Sequence, residues 1–183
     1  MNREFFHEER TDILAGAAAR KVQDPIVVNF DGSAASLSDH PFAFDLNNDG
    51  RDESISMPGS GSGFLAFDRN GDGRINSGAE LFGPGSGDGF GELAAYDTDH
   101  TGWIDEGDAI YGDLRLWSKD AAGNDTLASL KEKGVAALSL TRVATPFDLR
   151  DPQNNLLGQV QSTGVYLTER GSAGTVQQLN LLA

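Results

Sequence analysis

Oxygen-bearing side chains occur at every second position at the start of FDRNGDGRINSGAELFG, residues 67–83. Asp68, Asn70 and Asp72 alternate with other residues, and Gly73 follows them directly. This order matches the D-x-[DN]-x-[DN]-G pattern, in which side chains at loop positions 1, 3 and 5 converge and a glycine at position 6 lets the chain reverse. Carboxylate and amide oxygens are the ligands that Ca²⁺ prefers. The stretch therefore predicts a calcium-binding loop.

The second half of the same stretch supplies further ligands for this loop. The main-chain carbonyl of Arg74 stands at position 7 and Asn76 at position 9, where ligands often act through a water molecule. Glu80 falls at position 13 instead of 12. Gly78 gives the chain the freedom to absorb this extra residue, so we expect Glu80 to turn back and close the ligand shell. The alternative is a solvated polar turn.

The segment DTDHTGWIDEGD, residues 97–108, matches the pattern most completely. Its ligands at positions 1, 3, 5, 7, 9 and 12 are Asp97, Asp99, Thr101, the carbonyl of Trp103, Asp105 and Asp108. The flanking GFGELAAY and DAIYGDL carry apolar residues at helical spacing, which predicts a helix–loop–helix hand. Ile75 and Ile104 both stand at position 8, where paired hands share a short β-bridge, and this leaves pairing open. The alternative for the segment is an Asx-rich turn that caps a helix.

A third segment, DLNNDGRDES, follows the same logic with one carboxylate fewer. It offers Asp45, Asn47, Asp49, the carbonyl of Arg51, and Glu53 at position 9, whereas position 12 is a serine. Both flanks have the composition of strands, so we expect a strand–loop–strand calcium site, with a polar hairpin as the alternative. The stretch KDAAGNDTLAS has its acidic and amide residues at the wrong spacing and is predicted to be an ordinary loop.

Composition restricts the partners of the chain. Its formal charge is −14, and residues 45–125 carry 17 Asp or Glu against 5 Lys or Arg. Such a polyanionic region attracts cations and repels nucleic acid and anionic membranes, which both need a basic surface. No stretch approaches the roughly 18 apolar residues that span a bilayer, so membrane insertion is not expected. The lack of cysteine excludes disulfides and thiolate zinc sites.

Catalytic constellations for an external substrate are missing from the sequence. His7, His40 and His100 have no cysteine and no nucleophile-elbow serine near them in sequence. Enzyme activity on an external substrate is therefore not expected.

Hydrophobic patterning predicts an α+β fold. Residues 1–23 are expected to be a leader, or the tail of a preceding region, with partly helical spacing, and residues 24–183 a single calcium-binding domain. Short strands at both ends would surround a central region of EF-hand-like loops and short helices. In the last third, Gly164 is expected to form the turn of a hairpin.

The order of five segments resembles a known family. These are DPIVVNFDG, GFLAFDRNGDGRINSGAELFG, GFGELAAYDTDHTGWID, LRLW and LASLKEKGVAALSL. Together they are similar to the self-processing module of RTX-type secreted bacterial proteins of the iron-regulated FrpC kind. The resemblance covers roughly residues 24–141, and residues 64–83 are its most specific part.

The resemblance implies an activity and a location. In that family, calcium-induced folding triggers cleavage of an Asp-Pro bond at the N-terminal boundary of the module, and the new aspartyl end can be joined to a lysine amine. Asp24-Pro25 stands at the matching boundary. The implied location is secreted or at the cell surface. The implied partners are calcium ions, the rest of a larger polypeptide, and a lysine-bearing protein.

Two hypotheses of different class therefore compete. In the first, the chain is a calcium-binding domain of a larger secreted protein, stabilised by two or three Ca²⁺ ions. In the second, it cleaves its own Asp24-Pro25 bond when calcium binds, because the aspartyl side chain attacks its own main-chain carbonyl and forms an anhydride. The simpler interpretation of Asp24-Pro25 is that proline begins an edge strand. The same dipeptide also occurs at Asp151-Pro152.

Overall fold

Strands dominate the fold of the chain. The computed structural model describes residues 22–31 and 34–182. Within them, the strands are β1 (Val22–Gln23), β2 (Ile26–Asn29), β3 (Leu37–Phe44), β4 (Glu53–Pro58), β5 (Ser62–Phe67), β6 (Trp103–Ile104), β7 (Leu114–Lys119), β8 (Asp125–Ser129), β9 (Val135–Arg150), β10 (Leu156–Thr168) and β11 (Ala173–Leu182). In these residues α1 (Gly89–Ala94) is the one α-helix, and the other helical pieces are 3₁₀ turns at Gly78–Glu80, Ala109–Gly112 and Lys131–Lys133. The predicted helical leader lies outside the described residues, apart from Val22 and Gln23 in β1.

One antiparallel sheet organises the molecule. Its strands follow the order β6-β9-β10-β11-β2-β5-β7-β8, and β1 pairs with the end of β11. A separate two-stranded sheet joins β3 and β4. The α+β prediction is therefore wrong, since the central region contributes a single six-residue α-helix. Glycines at 89 and 91 lie within this helix, and glycine disfavours helix interiors by about 1 kcal/mol relative to alanine, which keeps the helix short.

Three long strands form the last third of the chain. The strands β9, β10 and β11 contain 16, 13 and 10 residues. The predicted turn at Gly164 is wrong, because Gly164 lies inside β10 and the chain reverses after Thr168 instead. A Cβ at position 164 would lie 3.1 Å from Cε1 of Phe90, so glycine allows the ring to pack closely against the strand.

Two hydrophobic clusters cover the opposite faces of the sheet. Side chains of a strand alternate between the faces, and Val27 belongs to one cluster whereas Val28 belongs to the other. The helix α1 and the loop of residues 97–108 pack on the Val28 side, where Ile104 is buried. The loops of residues 45–53 and 68–80 pack on the Val27 side, where Ile75 is buried. None of the described helices has the length and apolar character needed to cross a membrane.

Candidate functional site

The three acidic loops close their first half in the same way. In each, the carboxylate at position 1 accepts a hydrogen bond from the main-chain N–H of the glycine at position 6. The bonds join Asp45 to Gly50 (2.9 Å), Asp68 to Gly73 (2.8 Å) and Asp97 to Gly102 (2.9 Å). The three glycines have φ angles of +84°, +77° and +80°, in the left-handed region that favours glycine. The spacing recognised in the sequence thus produces one common turn.

A second carboxylate then returns to the beginning of each loop. This carboxylate stands at position 9 in the first loop, 13 in the second and 12 in the third. In each loop it accepts a hydrogen bond from the main-chain N–H of the residue at position 2. The donor and acceptor pairs are Leu46 and Glu53 (2.9 Å), Arg69 and Glu80 (3.2 Å), and Thr98 and Asp108 (2.8 Å). Glu80 therefore does turn back across its extra residue, and it is buried, with 5% of its surface exposed. In all three loops two carboxylates face the same short stretch of main chain.

The loop of residues 97–108 brings three carboxylates together. Oxygens of Asp97, Asp99 and Asp108 all lie within 4.8 Å of one another. Oxygens that share one Ca²⁺ ion at roughly 2.3–2.6 Å can be at most about 5 Å apart, so the spacing fits this ion. Burial alone would raise the pKa of Asp108, but hydrogen bonds from Thr98 and from the N–H of Asp105 outweigh it and lower the pKa. Asp108 is therefore an anion despite its burial.

The loop of residues 45–53 contains an unsatisfied acceptor. Asn47 donates from Nδ2 to Oε1 of Glu53 at 2.6 Å, whereas its Oδ1 is buried and has no hydrogen-bond partner among the described residues. Most buried acceptors in proteins are paired, so an unpaired amide oxygen at this position has the chemistry of a metal ligand. The predicted strand–loop–strand arrangement is correct, because β3 ends at Phe44 and β4 begins at Glu53.

The loop of residues 68–80 is tied together by amides. Asn76 and Asn70 both donate to Oδ2 of Asp72, at 2.8 Å and 3.3 Å. The bond from Asn76 is the main cause that lowers the pKa of Asp72. The second oxygen of Glu80 accepts the main-chain N–H of Asn76 at 2.8 Å. Hydrogen bonds therefore fix two carboxyl groups of this loop, Asp72 at its surface and Glu80 at its base.

The first two loops contact each other directly. Gly78 donates its N–H to the main-chain oxygen of Asp45 at 2.8 Å, and the hydroxyl of Ser77 donates to Oδ1 of Asn48 at 2.9 Å. A Cβ at position 78 would lie 1.7 Å from the main-chain oxygen of Leu46. Gly78, the extra residue that places Glu80 at position 13, is thus also the residue that joins the two loops. The β-bridge between Ile75 and Ile104 does not form, because Ile104 pairs with Leu138 of β9.

The main chain around Asp24-Pro25 is held from both sides. Before the bond, Gln23 in β1 pairs with Leu181 of β11. After it, the oxygen of Pro25 accepts the N–H of Leu179 at 3.0 Å, and Ile26 donates its N–H to the oxygen of Phe82 at 3.0 Å. The bond lies between two strands that share the partner β11, so its position in the fold is fixed.

A glycine-rich turn, residues 83–87, lies over Asp24. A Cβ at Gly83 would be 1.9 Å from the main-chain oxygen of Asp24, and a Cβ at Gly87 would be 3.4 Å from its Oδ2. The N–H of Gly87 closes the turn on the oxygen of Gly83 at 2.7 Å. The carboxylate of Glu92 accepts the N–H of Gly83 at 3.0 Å and the hydroxyl of Ser86 at 2.5 Å. The sequence reasoning missed this turn, and its available signal was the glycine spacing in GPGSGDGFG.

The Asp24 carboxyl lies beside Gly87 and Gln161, two residues that line a polar recess. Burial raises its pKa from an ordinary value of 3.8 to about 6. Gln161 donates from Nε2 to Oδ1 at 3.1 Å, and Oδ2 has no hydrogen-bond partner among residues 22–31 and 34–182. The recess has a volume of about 440 Å³ and is lined by Gly87, Asp88, Arg142, Ala144, Gln161, Ser162 and Gln178. The Asp24 carboxyl therefore holds its proton up to mildly acidic pH.

The other Asp-Pro dipeptide has a different environment. Oδ1 of Asp151 accepts the N–H groups of Gln153 at 2.9 Å and Asn155 at 2.7 Å. Oδ2 accepts Nδ2 of Asn155 at 2.7 Å, and this bond is the main cause that lowers the pKa of Asp151. Both oxygens are bonded and the carboxylate is ionised. Asp24 and Asp151 share a neighbouring proline, but burial raises the pKa of Asp24 whereas hydrogen bonds lower the pKa of Asp151.

Comparison with known proteins identifies the family. Residues 26–182 match the model of the SPM domain, so the chain belongs to this family. The match begins two residues after Asp24. The chain is also 30% identical over 135 residues to the iron-regulated protein FrpA of Neisseria meningitidis serogroup C. That alignment covers 65% of this chain and 12% of the relative, so the chain corresponds to a small part of that protein. The resemblance to RTX-associated bacterial proteins is thereby confirmed at the level of the family.

Proposed function

We propose that the chain is a calcium-binding module of a larger secreted protein, which folds around two or three Ca²⁺ ions. The carrying observation is the common geometry of the three loops, in which two carboxylates return to the same main-chain turn. Without cations, 17 acidic residues against 5 basic ones in residues 45–125 repel each other. Bound Ca²⁺ removes this repulsion, and its binding energy becomes folding energy.

Each loop offers the oxygen ligands that Ca²⁺ uses. The proposed sets are Asp45, Asn47, Asp49, Arg51 and Glu53; Asp68, Asn70, Asp72, Arg74, Asn76 and Glu80; and Asp97, Asp99, Thr101, Trp103, Asp105 and Asp108. The arginines and the tryptophan would act through their main-chain carbonyls. Ca²⁺ accepts six to eight oxygens in variable geometry, which suits loops that close at three different spacings. Mg²⁺ requires a small, regular octahedron and should compete poorly.

Titration calorimetry tests this function. The chain should take up two or three Ca²⁺ ions with dissociation constants of roughly 10⁻⁵ to 10⁻³ M, and millimolar Mg²⁺ should displace little of the bound Ca²⁺. A protein that binds no Ca²⁺ at millimolar metal would exclude the proposal.

A second function, self-cleavage of the Asp24-Pro25 bond, is favoured by the environment of Asp24. Its carboxyl is partly buried with a raised pKa, and the main chain on either side of the bond is fixed. A tethered group held beside its target reacts as if it were present at very high concentration. The second Asp-Pro dipeptide lacks these features.

The reaction needs no group other than those of the chain and water. An oxygen of the Asp24 carboxyl forms a bond to the main-chain carbonyl carbon of the same residue, which creates a five-membered cyclic anhydride. The bond from that carbon to the Pro25 nitrogen breaks, and the carboxyl proton moves to the nitrogen, which leaves as a secondary amine. Water then opens the anhydride to two carboxyl groups. A lysine amine would open it to one amide and one carboxyl group.

Calcium binding would support this reaction through the order of the fold. Glu80 closes the second loop, and Phe82 and Gly83 follow it in the chain. Phe82 holds the N–H of Ile26, and Gly83 lies against Asp24. An ordered second loop therefore fixes the two residues that border the Asp24-Pro25 bond.

Intact-mass measurement tests self-cleavage. The chain should divide slowly after Asp24 in millimolar Ca²⁺ and remain whole with excess chelator. The variant Asp24→Ala should not be cut, whereas Asp151→Ala should be cut at the wild-type rate. If the wild-type mass stays unchanged for days in Ca²⁺ near neutral pH, self-cleavage is excluded and calcium binding remains as the proposed function.

A further inference from the structure

We propose that Gln161 is a positioning residue for Asp24, and that its side-chain amide holds the carboxyl in the orientation from which it reaches its own main-chain carbonyl. The inference rests on the proposed self-cleavage and names a residue on which its rate depends. Gln161 is separated from Asp24 by 137 positions in the chain, and their side chains meet at 3.1 Å.

An irregularity in β10 places the Gln161 side chain at this point. Against β11, Val160 pairs with Leu179 and Ser162 pairs with Gln178, so Gln161 is an extra residue without a partner. Such a β-bulge bends the strand and changes the direction in which a side chain points, and bulges are frequent beside active sites. Val160 and Ser162 are both buried, whereas Gln161 is half-buried at the recess. The bulge therefore directs its amide at Asp24.

The other side of the Asp24 carboxyl is also held. Gly87 lies beside Oδ2, and its main-chain oxygen accepts Nε2 of Gln178 at 2.9 Å. Gln178 is buried, with 3% of its surface exposed, so this hydrogen bond is shielded from solvent. Gln161 thus contacts Oδ1 of the Asp24 carboxyl, and Gly87 lies beside Oδ2. The bond to Oδ1 restricts rotation of the carboxyl and leaves Oδ2 without a competing partner among the described residues.

The charged groups around the recess are paired with other groups. Asp88 and Arg142 form an ion pair at 2.8 Å, and Glu92 accepts hydrogen bonds from Gly83 and Ser86. The hydrogen bond from Gln161 is thus the direct contact that Asp24 makes to a polar side chain in the described residues. A donor to a carboxylate favours its charged form, so this contact opposes the effect of burial on the pKa of Asp24.

The chain contains a matched control for this contact. Gln159 lies on the same strand and donates from Nε2 to Oδ1 of Asp148 at 3.0 Å. The variants Gln161→Met and Gln159→Met each remove one amide donor from β10 while keeping an unbranched side chain of similar length. Their cleavage rates in Ca²⁺ and the carboxyl ¹³C titration of Asp24 should be measured alongside those of the wild type.

We expect Gln161→Met to slow calcium-dependent cleavage by about 10- to 100-fold, because small misplacements of a reacting group have effects of this size. It should also raise the pKa of the Asp24 carboxyl. Gln159→Met should change neither quantity. The variant Gln161→Asn keeps the amide but withdraws it by one methylene, so it should slow cleavage as well and covers the case in which Gln161→Met folds poorly.

The outcomes separate the two proposals. If the wild type is not cut in Ca²⁺, self-cleavage fails and the role of Gln161 fails with it. If the wild type is cut and the Gln161 variants are as fast as Gln159→Met, only the role of Gln161 is wrong. An unchanged Asp24 titration in Gln161→Met would also overturn that role, since it would show that the hydrogen bond is not made in solution.

Discussion

The α-carbon of Gly83 lies against the main-chain oxygen of Asp24. A side chain at position 83 would place its Cβ 1.9 Å from this oxygen, and the φ angle of Gly83 is +116°. Only glycine satisfies both the conformation and the space. The contact places the chain that follows the second acidic loop directly against the Asp24-Pro25 bond.

The variant Gly83→Ala should lower the free energy of unfolding by about 1–3 kcal/mol, because it forces a strained φ angle and displaces the main chain of Asp24. Urea denaturation measures this loss. Gly85→Ala is the matched control in the same turn, since a Cβ there meets only Oε1 of Glu92 at 3.8 Å. Equal stability of the two variants would show that the contact between Gly83 and Asp24 is not made.

The raised pKa of Asp24 predicts how stability depends on pH. The carboxyl titrates near its ordinary value of 3.8 in the unfolded chain and at about 6 in the fold. Between these values the folded state binds more protons, so this group lowers the free energy of unfolding as pH rises from about 4 to 6. The variant Asp24→Asn should lack this contribution. Urea denaturation at several pH values, compared between variant and wild type, isolates it from the titration of the acidic loops.

Asp151→Asn provides a comparison of opposite sign. The pKa of Asp151 is lowered by its bonds to Asn155 and Gln153, so its stabilising effect is present above the unfolded pKa and is lost as pH falls through the folded pKa. The two variants should therefore shift the stability curve in opposite directions in acid. Parallel curves would contradict the assigned environments of both carboxyls.

Calcium should raise the stability of the whole chain. Ions that bind only the folded state add roughly 2.7 kcal/mol per independent site at 100 times the dissociation constant. The sheet and the loops share the two hydrophobic clusters, so the effect should appear in the global transition. Thermal melts with excess chelator and with millimolar Ca²⁺ measure it, and coincident melts would contradict the prediction.

Removing one closing carboxylate should remove one ion. The variant Asp108→Asn keeps the shape of the buried side chain but loses the charge that faces Asp97 and Asp99, so calorimetry should count one Ca²⁺ fewer. Asp113→Asn alters a nearby carboxylate that belongs to no loop, at the residue whose main-chain N–H caps the following 3₁₀ turn, and it should leave the count unchanged. Identical ion counts in both variants would place the metal elsewhere.

The loops were readable in the sequence because their contacts are local. Asp45 and Gly50 are five residues apart, as are Asp97 and Gly102. The alternating acidic and amide residues that bring these groups together can be recognised in the amino-acid sequence. The return of Glu80 from position 13 could also be expected, because Gly78 precedes it. What could not be expected was that Gly78 also contacts Leu46, since that depends on how two separate loops pack.

The contacts of Asp24 could not be predicted from the sequence, although the Asp24-Pro25 dipeptide could be recognised in it. Gln161 meets Asp24 only because the register of β10 against β11 contains a bulge, and no local pattern fixes a register between distant strands. The fold class failed for a related reason. The strands β9 and β10 carry exposed apolar residues such as Phe147 and Val165 beside their buried ones, so their apolar periodicity is weak, and Gly164 within β10 resembles a turn residue.

The contact between the first two loops gives the last prediction. Gly78 has an ordinary φ angle, so alanine is conformationally allowed there, but its Cβ would lie 1.7 Å from the oxygen of Leu46. The variant Gly78→Ala must therefore separate the loops, at a cost of about 1–3 kcal/mol. Because Leu46 holds Glu53 and Gly78 precedes Glu80, we expect weaker calcium binding in both loops and unchanged binding in residues 97–108. Gly112→Ala, where nothing lies within 4 Å of the new Cβ, is the control. Calorimetry and urea denaturation measure both effects, and wild-type affinities in Gly78→Ala would show that the two loops bind independently.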